Sequence, residues 1–385
     1  MNQQPLVANW NYPTRVRVGA GRIAELATVC KELGMHAPLL ITDPGLAASP
    51  LVEKIVKQCQ QADLPVAVFS QIKTNPTGEN VTAGVQAYQK GKHDGVIAFG
   101  GGSGLDAAKA VALMVGQTRP LWDFEDVGDN WTRVNVEGMA PVVAVPTTAG
   151  TGSEVGRASV ITDTAEQVKK IIFHPRMQPS VVILDPELTV GLPKALTAAT
   201  GMDALSHCLE AYCAPFYHPM AEGIALEGIR LIKDNLIRAY HEGSDLHART
   251  NMLVASAMGA TAFQRGLGAM HAMAHPLGAL YDAHHGRLNA ILMPYVLLAN
   301  RAVIEEKIAR LAGYLSLNNG FDGFMDWIFQ LRMELQIEHT LAEIGIDQTQ
   351  VDQLALMATQ DAAAGCNPIV FSKEQYKNIL LKAIG

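Results

Sequence analysis

Residues 95–110 read GVIAFGGGSGLDAAKA, and the fold turns on how that stretch is parsed. An apolar run, residues 95–99, ends on Gly100-Gly101-Gly102, and a segment rich in small residues follows. The run predicts a strand, the glycines a tight turn, and residues 106–113 a helix with Ser103 at its N-cap. Small residues at such a turn let a phosphate approach the backbone, and a helix start offers unpaired N–H groups at a positive dipole end. A β-to-α turn without a ligand is the simpler alternative, but three glycines at a strand end favour phosphate. The spacing is neither GxGxxG nor GxxxxGK[ST], so the usual dinucleotide fingerprint and the ATPase loop are both absent.

Outward from this stretch the same alternation recurs. Residues 38–42, 66–69, 142–145 and 181–184 predict further strands, and residues 21–33, 51–62 and 79–90 predict helices between them. Strands joined by crossover helices form a mostly parallel sheet covered on both faces. A lone strand-like stretch at residues 14–18 is expected to form a separate ribbon. After Asp185-Pro186 the character changes. Residues 202–214, 220–240, 249–262, 303–315 and 321–335 are rich in Ala, Leu, Met and Glu, with Gly, Pro and Asn between them. The expected plan is an α/β Rossmann-like domain over residues 1–187 followed by an all-helical domain over residues 188–385, with a ligand cleft where they meet.

Composition bounds the function. The 385 residues carry 17% charged side chains and a net charge of −7, which excludes an intrinsically disordered chain and a highly charged coiled coil. The acidic balance argues against a nucleic-acid partner. Five scattered cysteines (Cys30, Cys59, Cys208, Cys213 and Cys366) read as reduced thiols. The N-terminus lacks a basic region followed by an apolar core, and the apolar run at residues 290–299 is too short to span a bilayer and contains Pro294. A cytoplasmic protein without a membrane partner is expected.

A second loop, PVVAVPTTAGTGSEV at residues 141–155, leaves another apolar strand for Thr147, Thr148 and further small or hydroxyl residues. Its groups suit a ribose or pyrophosphate, and equally plain turn chemistry. Two such loops on one sheet reinforce each other, because parallel strands open their C-terminal ends into one crevice. Asp43, in LLITDP, closes an early strand where a carboxylate can accept from an adenosine ribose hydroxyl and repel a 2′-phosphate, favouring NAD over NADP. The alternative is an Asx turn before Pro44.

The sharpest pattern lies in the helical half. In GMDALSHCLEAY, Asp203 and His207 are four apart and share a helix face. In GLGAMHAMAHPLGALYDAHHGRLNA, His271 and His275 repeat that spacing, and His284-His285 follow. Imidazoles among small apolar neighbours are costly unless they are partnered. One carboxylate and three imidazoles suit a divalent transition metal, Fe²⁺ or Zn²⁺, with a position left for a substrate oxygen. Spacing alone does not choose among the four clustered histidines.

Across nearly its full length the chain resembles the iron-containing, or family III, alcohol dehydrogenases, most specifically in GMDALSH and HAMAHPLGA. The resemblance implies a dehydroquinate synthase-like two-domain plan, with Asp203, His207, His271 and His285 as metal ligands and His275 beside substrate and nicotinamide as a catalytic residue. It implies cofactor contacts from Asp43, from Gly100, Gly101, Gly102 and Ser103, from Thr147 and Thr148, and from Lys169, with Lys170 as the alternative. The implied cofactors are NAD and one divalent metal, Fe²⁺ ahead of Zn²⁺. The implied reaction is hydride transfer between NAD(H) and a small primary alcohol or aldehyde in a homodimer or larger homo-oligomer. A glycerol dehydrogenase-like polyol oxidoreductase is the alternative within enzymes; an NAD-using lyase and a non-catalytic metal protein stand further off. Two residues depart from the family pattern. His284 stands where many relatives carry proline. Arg265 either draws a polar aldehyde or forms a salt bridge.

Overall fold

The computed structural model describes residues 8–10 and 14–385, and the chain separates into two compact units. The first comprises the described residues up to Thr148 together with Gly152–Gly191; the second comprises Ala149–Thr151 and Leu192–Gly385.

In the first unit a seven-stranded sheet runs in the order β1-β2-β9-β6-β5-β3-β4. Its strands are β1 (Ala8–Trp10), β2 (Arg15–Val18), β3 (Leu39–Ile41), β4 (Ala67–Phe69), β5 (Val96–Gly100), β6 (Val142–Pro146) and β9 (Val181–Leu184). All neighbours are parallel except β1 and β2. Every residue of β3, β5, β6 and β9 is buried, which explains their unbroken apolar sequences: both faces of the sheet are covered. The helices are α1 (Leu26–Glu32), α2 (Pro44–Ala47), α3 (Pro50–Gln61), α4 (Gly78–Gly91) and α5 (Gly102–Met114). On one side, Leu26, Val29, Ile55 and Cys59 pack with Leu40, Ile97, Val143 and Ile183 from the strands.

The strand order contains one reversal. From β3 the chain moves outward to β4, returns past β3 to β5, and continues outward to β6 and β9. The carboxyl ends of β3 and β5 therefore flank the point where a doubly wound sheet opens to a ligand.

Two expectations change here. The stretch at residues 14–18 is not a separate ribbon, because β2 joins the main sheet in register with β9, Arg15 opposite Val181 and Val18 opposite Leu184. A two-stranded antiparallel hairpin, β7 (Ala158–Asp163) and β8 (Val168–Phe173), stands outside the main sheet where no strand is expected from the sequence.

The second unit is helical: α6 (Lys194–Cys213), α7 (Pro219–His241), α8 (Leu246–Ala262), α9 (Ala269–Tyr281), α10 (His285–Tyr314), α11 (Gly320–Glu334), α12 (Val351–Gln360) and α13 (Lys373–Ile384). Helix α6 is buried nearly all round and is the post on which α7, α8 and α10 pack. Helix α10 runs through Pro294 for 30 residues, so the apolar run at 290–299 is one part of a longer element. By length and composition α10 suffices to cross a membrane, yet 61% of its apolar window is buried, as in the core helix of a bundle.

Candidate active site

The two glycine-bearing loops lie side by side. Strand β5 ends at Gly100, whose φ of 140° is open to glycine but strained for other residues. Its neighbour β6 ends at Pro146, paired with Gly100, and the Thr147 amide donates to the Gly100 carbonyl at 2.9 Å. A Cβ on Gly101 would stand 3.3 Å from the Thr148 hydroxyl, so the loops approach to van der Waals contact. At the head of β3, Asp43 Oδ1 accepts from the Leu46 amide at 3.0 Å, capping α2. Its Oδ2 is 3.7 Å from where a Cβ on Gly100 would lie. The Asx turn and the placement at the sheet's reversal are thus both present, one on each carboxylate oxygen.

Ser103 is not the helix cap. Helix α5 starts one residue earlier, with Gly101 in extended geometry as N-cap, and the Ser103 hydroxyl donates to the Thr74 carbonyl instead. That geometry is extended backbone open to any residue, and no side-chain oxygen caps the helix. Behind the loops, Asp106 of α5 accepts from the Ser153 hydroxyl at 2.5 Å and the Val160 amide at 3.0 Å, tying the second loop and the hairpin to α5. Buried Lys109 donates to the Ala158 carbonyl. Glu154 is buried beside them, and burial pushes its carboxyl up to about 7 against the opposing pull of its own backbone amide and Lys109. On β8, Lys169 and Lys170 alternate across the strand; Lys170 is engaged by Asp163 and Glu166, both at 2.9 Å.

In the second unit, Asp203, His207, His271 and His285 each offer a ligand atom, and these atoms lie within 4.8 Å of one another. Helix α6 supplies the first two one turn apart, α9 supplies His271, and His285 opens α10. Glycine makes this convergence possible. A Cβ on Gly286 would stand 2.3 Å from the Ala199 carbonyl and 3.0 Å from the Asp203 Cβ, so α10 presses backbone-to-backbone on α6. His284, the α10 N-cap, is exposed and outside the group.

Each buried ring is aimed by its other nitrogen. His271 Nδ1 lies 2.6 Å from Glu210 Oε2, and His207 Nδ1 lies 3.3 Å from the Gly150 carbonyl, which leaves both Nε2 atoms for the cluster. Burial lowers the His271 pKa well below its ordinary value, so the ring stays neutral with its Nε2 lone pair available. The donor set fits a divalent cation. Asp203 Oδ1, His271 Nε2 and His285 Nε2 converge on one group, the Asn289 amide Nδ2, at 2.9, 3.2 and 3.1 Å. Three acceptor lone pairs converging on one N–H donor group are the kind of donor set that a divalent cation takes.

His275 is stacked on His285 with ring centroids 5.4 Å apart, and its Nδ1 lies 2.8 Å from Asp361 Oδ2. Burial would raise the Asp361 carboxyl, but the facing His275 and the Ala363 amide outweigh it and hold the pKa below the usual range. Arg265 does not offer a free guanidinium. It is buried, donates to the carbonyls of Ala211, Tyr212 and Phe216, and pairs with Glu222 at 2.8 Å, complementing the C-terminal end of α6. Sequence reasoning missed Glu210, Asn289, Asp361 and Asp106. The only available signals were Glu210 three residues after His207 and Asn289 one turn after His285.

Comparison with known proteins agrees across the whole chain. Residues 13–186 match the family described as iron-containing alcohol dehydrogenase, and residues 197–384 match the C-terminal part of the Fe-containing alcohol dehydrogenase family. The chain is 36% identical to a 4-hydroxybutyrate dehydrogenase of Cupriavidus necator, covering 96% of this chain and 98% of that one. It is also 36% identical to a 1,3-propanediol dehydrogenase of Citrobacter freundii, covering 98% of both. A crystal structure of 1,3-propanediol oxidoreductase superposes with a TM-score of 0.92 at 35% identity, over 99% of this chain and all of that one. With two family matches in series and relatives aligned end to end, the chain belongs to the iron-containing alcohol dehydrogenases, metal-dependent NAD(H)-linked oxidoreductases of small alcohols, polyols and aldehydes.

Proposed function

We propose that this enzyme interconverts a small primary alcohol and its aldehyde, prefers NAD(H) to NADP(H), and uses Fe²⁺ in the cell. The observation that carries the reading is the convergence of Asp203, His207, His271 and His285 within 4.8 Å. Those four residues hold the metal, and Glu210 and the Gly150 carbonyl keep the His271 and His207 rings aimed. When bound, the metal supplies Lewis-acid polarisation of the substrate oxygen and the nicotinamide C4 supplies the hydride site.

His275 keeps its Nδ1 proton on Asp361, so its Nε2 is the atom that takes or returns the alcohol proton. Residues 100–103, Thr147 and Thr148 receive the pyrophosphate, Asp43 Oδ2 accepts from the adenosine ribose, and Lys169 contacts the nucleotide. The relatives named as 4-hydroxybutyrate and 1,3-propanediol dehydrogenases support a short substrate with a terminal hydroxyl. The same reading places the enzyme in the cytoplasm, supported by five free cysteines, and makes it a homodimer or larger homo-oligomer, as the family resemblance suggests.

Anaerobic purification with metal analysis, followed by an NAD- and NADP-linked panel of alcohols, aldehydes and polyols, tests this reading. Iron in the purified protein and NAD-linked turnover highest on primary alcohols are expected. Turnover confined to vicinal polyols would replace this reading with a glycerol dehydrogenase-like one. Light scattering on the same sample reads the subunit number.

A further inference from the structure

Glu210 is buried, and its side-chain oxygens bond to the start of α9 and to His271. Its Oε2 accepts from the Gly268 amide at 2.8 Å and faces His271 Nδ1 at 2.6 Å; its Oε1 accepts from the Met270 amide at 2.7 Å. Gly268 is the N-cap of α9 and Met270 lies in its first turn, where backbone N–H groups have no partner within the helix. A carboxylate is the side chain that accepts from three donors at once, and it complements the positive end of the helix.

The local sequence is shaped around this contact. A Cβ on Gly268 would stand 2.9 Å from Glu210 Oε1 and 3.0 Å from Asn367 Oδ1, so only glycine leaves room for both. Asn367 Oδ1 takes another amide of that turn, Ala269, at 3.1 Å. Glu210 therefore fixes the position of the α9 start and, through the proton on Nδ1, the tautomer and tilt of the His271 ring.

We infer that Glu210 is a positioning residue for metal capture: it acts through His271, holding that ring so that Nε2 points into the group formed with Asp203, His207 and His285. The inference rests on His271 being a metal ligand, as proposed above. An amide at 210 has one acceptor oxygen where the carboxyl has two, so it cannot accept from all three donors and the ring loses its fixed aim.

The test measures Zn²⁺ affinity of the full-length protein by chelator competition for wild type, Glu210→Gln, His271→Ala and the double variant, with circular dichroism confirming the fold of each. Glu210→Gln is expected to weaken Zn²⁺ binding about 10–100-fold, the usual effect of losing the carboxylate behind a ligating histidine. In the double variant the Glu210 change is expected to add nothing to the loss from His271→Ala, because its route to the metal is gone. A purely structural role would lower affinity by the same factor in both backgrounds, and that result overturns the inference. Affinity within twofold of wild type in Glu210→Gln, with His271→Ala impaired, also overturns it while leaving the ligand assignment intact. Unchanged affinity in His271→Ala removes the ligand assignment itself. If Glu210→Gln does not fold, Glu210→Asp carries the same cycle, and failure of both to fold assigns Glu210 to folding alone and overturns the inference.

Discussion

Asp361 Oδ2 and His275 Nδ1 lie 2.8 Å apart, although 86 residues separate them in sequence. The carboxylate can only accept, so it selects the tautomer that carries the proton on Nδ1. An asparagine can instead turn its amide donor toward Nδ1 and move the proton to Nε2, where it blocks the acceptor. Asp361→Asn is expected to lower kcat about 100-fold with little change in the KM for NAD(H), and His275→Ala at least as much. Steady-state kinetics on both variants checks this; full activity in Asp361→Asn would remove His275 from proton transfer.

His271→Ala and His285→Ala should lose metal and activity together, while His284→Ala should keep both, because His284 is exposed and outside the ligand group. Elemental analysis of the anaerobically purified variants reads this directly. Wild-type metal content in His285→Ala would shift the assignment to another residue.

Asp43→Gly removes the carboxylate at the reversal of strand order and the cap of α2 together. The ratio of kcat/KM for NADP(H) to that for NAD(H) is expected to rise about tenfold or more, as repulsion of a 2′-phosphate is lost. An unchanged ratio would place cofactor choice elsewhere in the loop.

The buried Glu154 sets a pH dependence of stability. Burial raises its pKa from 4.5 to about 7, so the folded chain holds its proton where the unfolded chain has lost it. Stability from this group is therefore present below about pH 4.5 and is lost as pH rises to about 7, by up to about 3 kcal/mol in total. Glu154→Gln should flatten that segment of a Tm-against-pH curve relative to wild type. Parallel curves for the two proteins would show that Glu154 ionises normally.

Gly286→Ala forces a methyl into the space where the Ala199 carbonyl approaches. A loss of about 1–3 kcal/mol is expected from such overpacking, and metal content should fall with it because His285 is the adjacent residue. Denaturant unfolding and metal analysis on the same preparation separate the two effects.

The sheet was legible because its central strands are apolar on both faces and end on glycine or aspartate, as at Gly100 and Asp43. The hairpin β7–β8 was not, because ASVITD and VKKIIF are short, mixed in polarity and partly exposed. Helix α10 looked shorter than it is because Pro294 interrupts the pattern without ending the helix. The convergence of Asp203, His207, His271 and His285 was foreshadowed by residue type and spacing, with the family resemblance selecting His285 over His284. Glu210, Asn289 and Asp361 were not, because their significance arises only when α6, α9, α10 and the Asp361 turn meet in space. Ser103 misled because a serine after glycines imitates a cap that the backbone of Gly101 already provides.

Gly286 has a sister on α6's other flank: a Cβ on Gly259 would stand 3.2 Å from the His207 Cβ and 3.3 Å from the Ala204 carbonyl. Both glycines let a neighbouring helix approach α6 closely, Gly286 against the Ala199 carbonyl and Gly259 against Cys208 Sγ, 3.1 Å from where a Cβ would lie. The spacing of α10 from α6 is therefore set by atomic contact at Gly286, and a close-packed interior leaves little slack in it. The separation of Asp203 from His285 is thus a property of the backbone, and any side chain at position 286 would widen it.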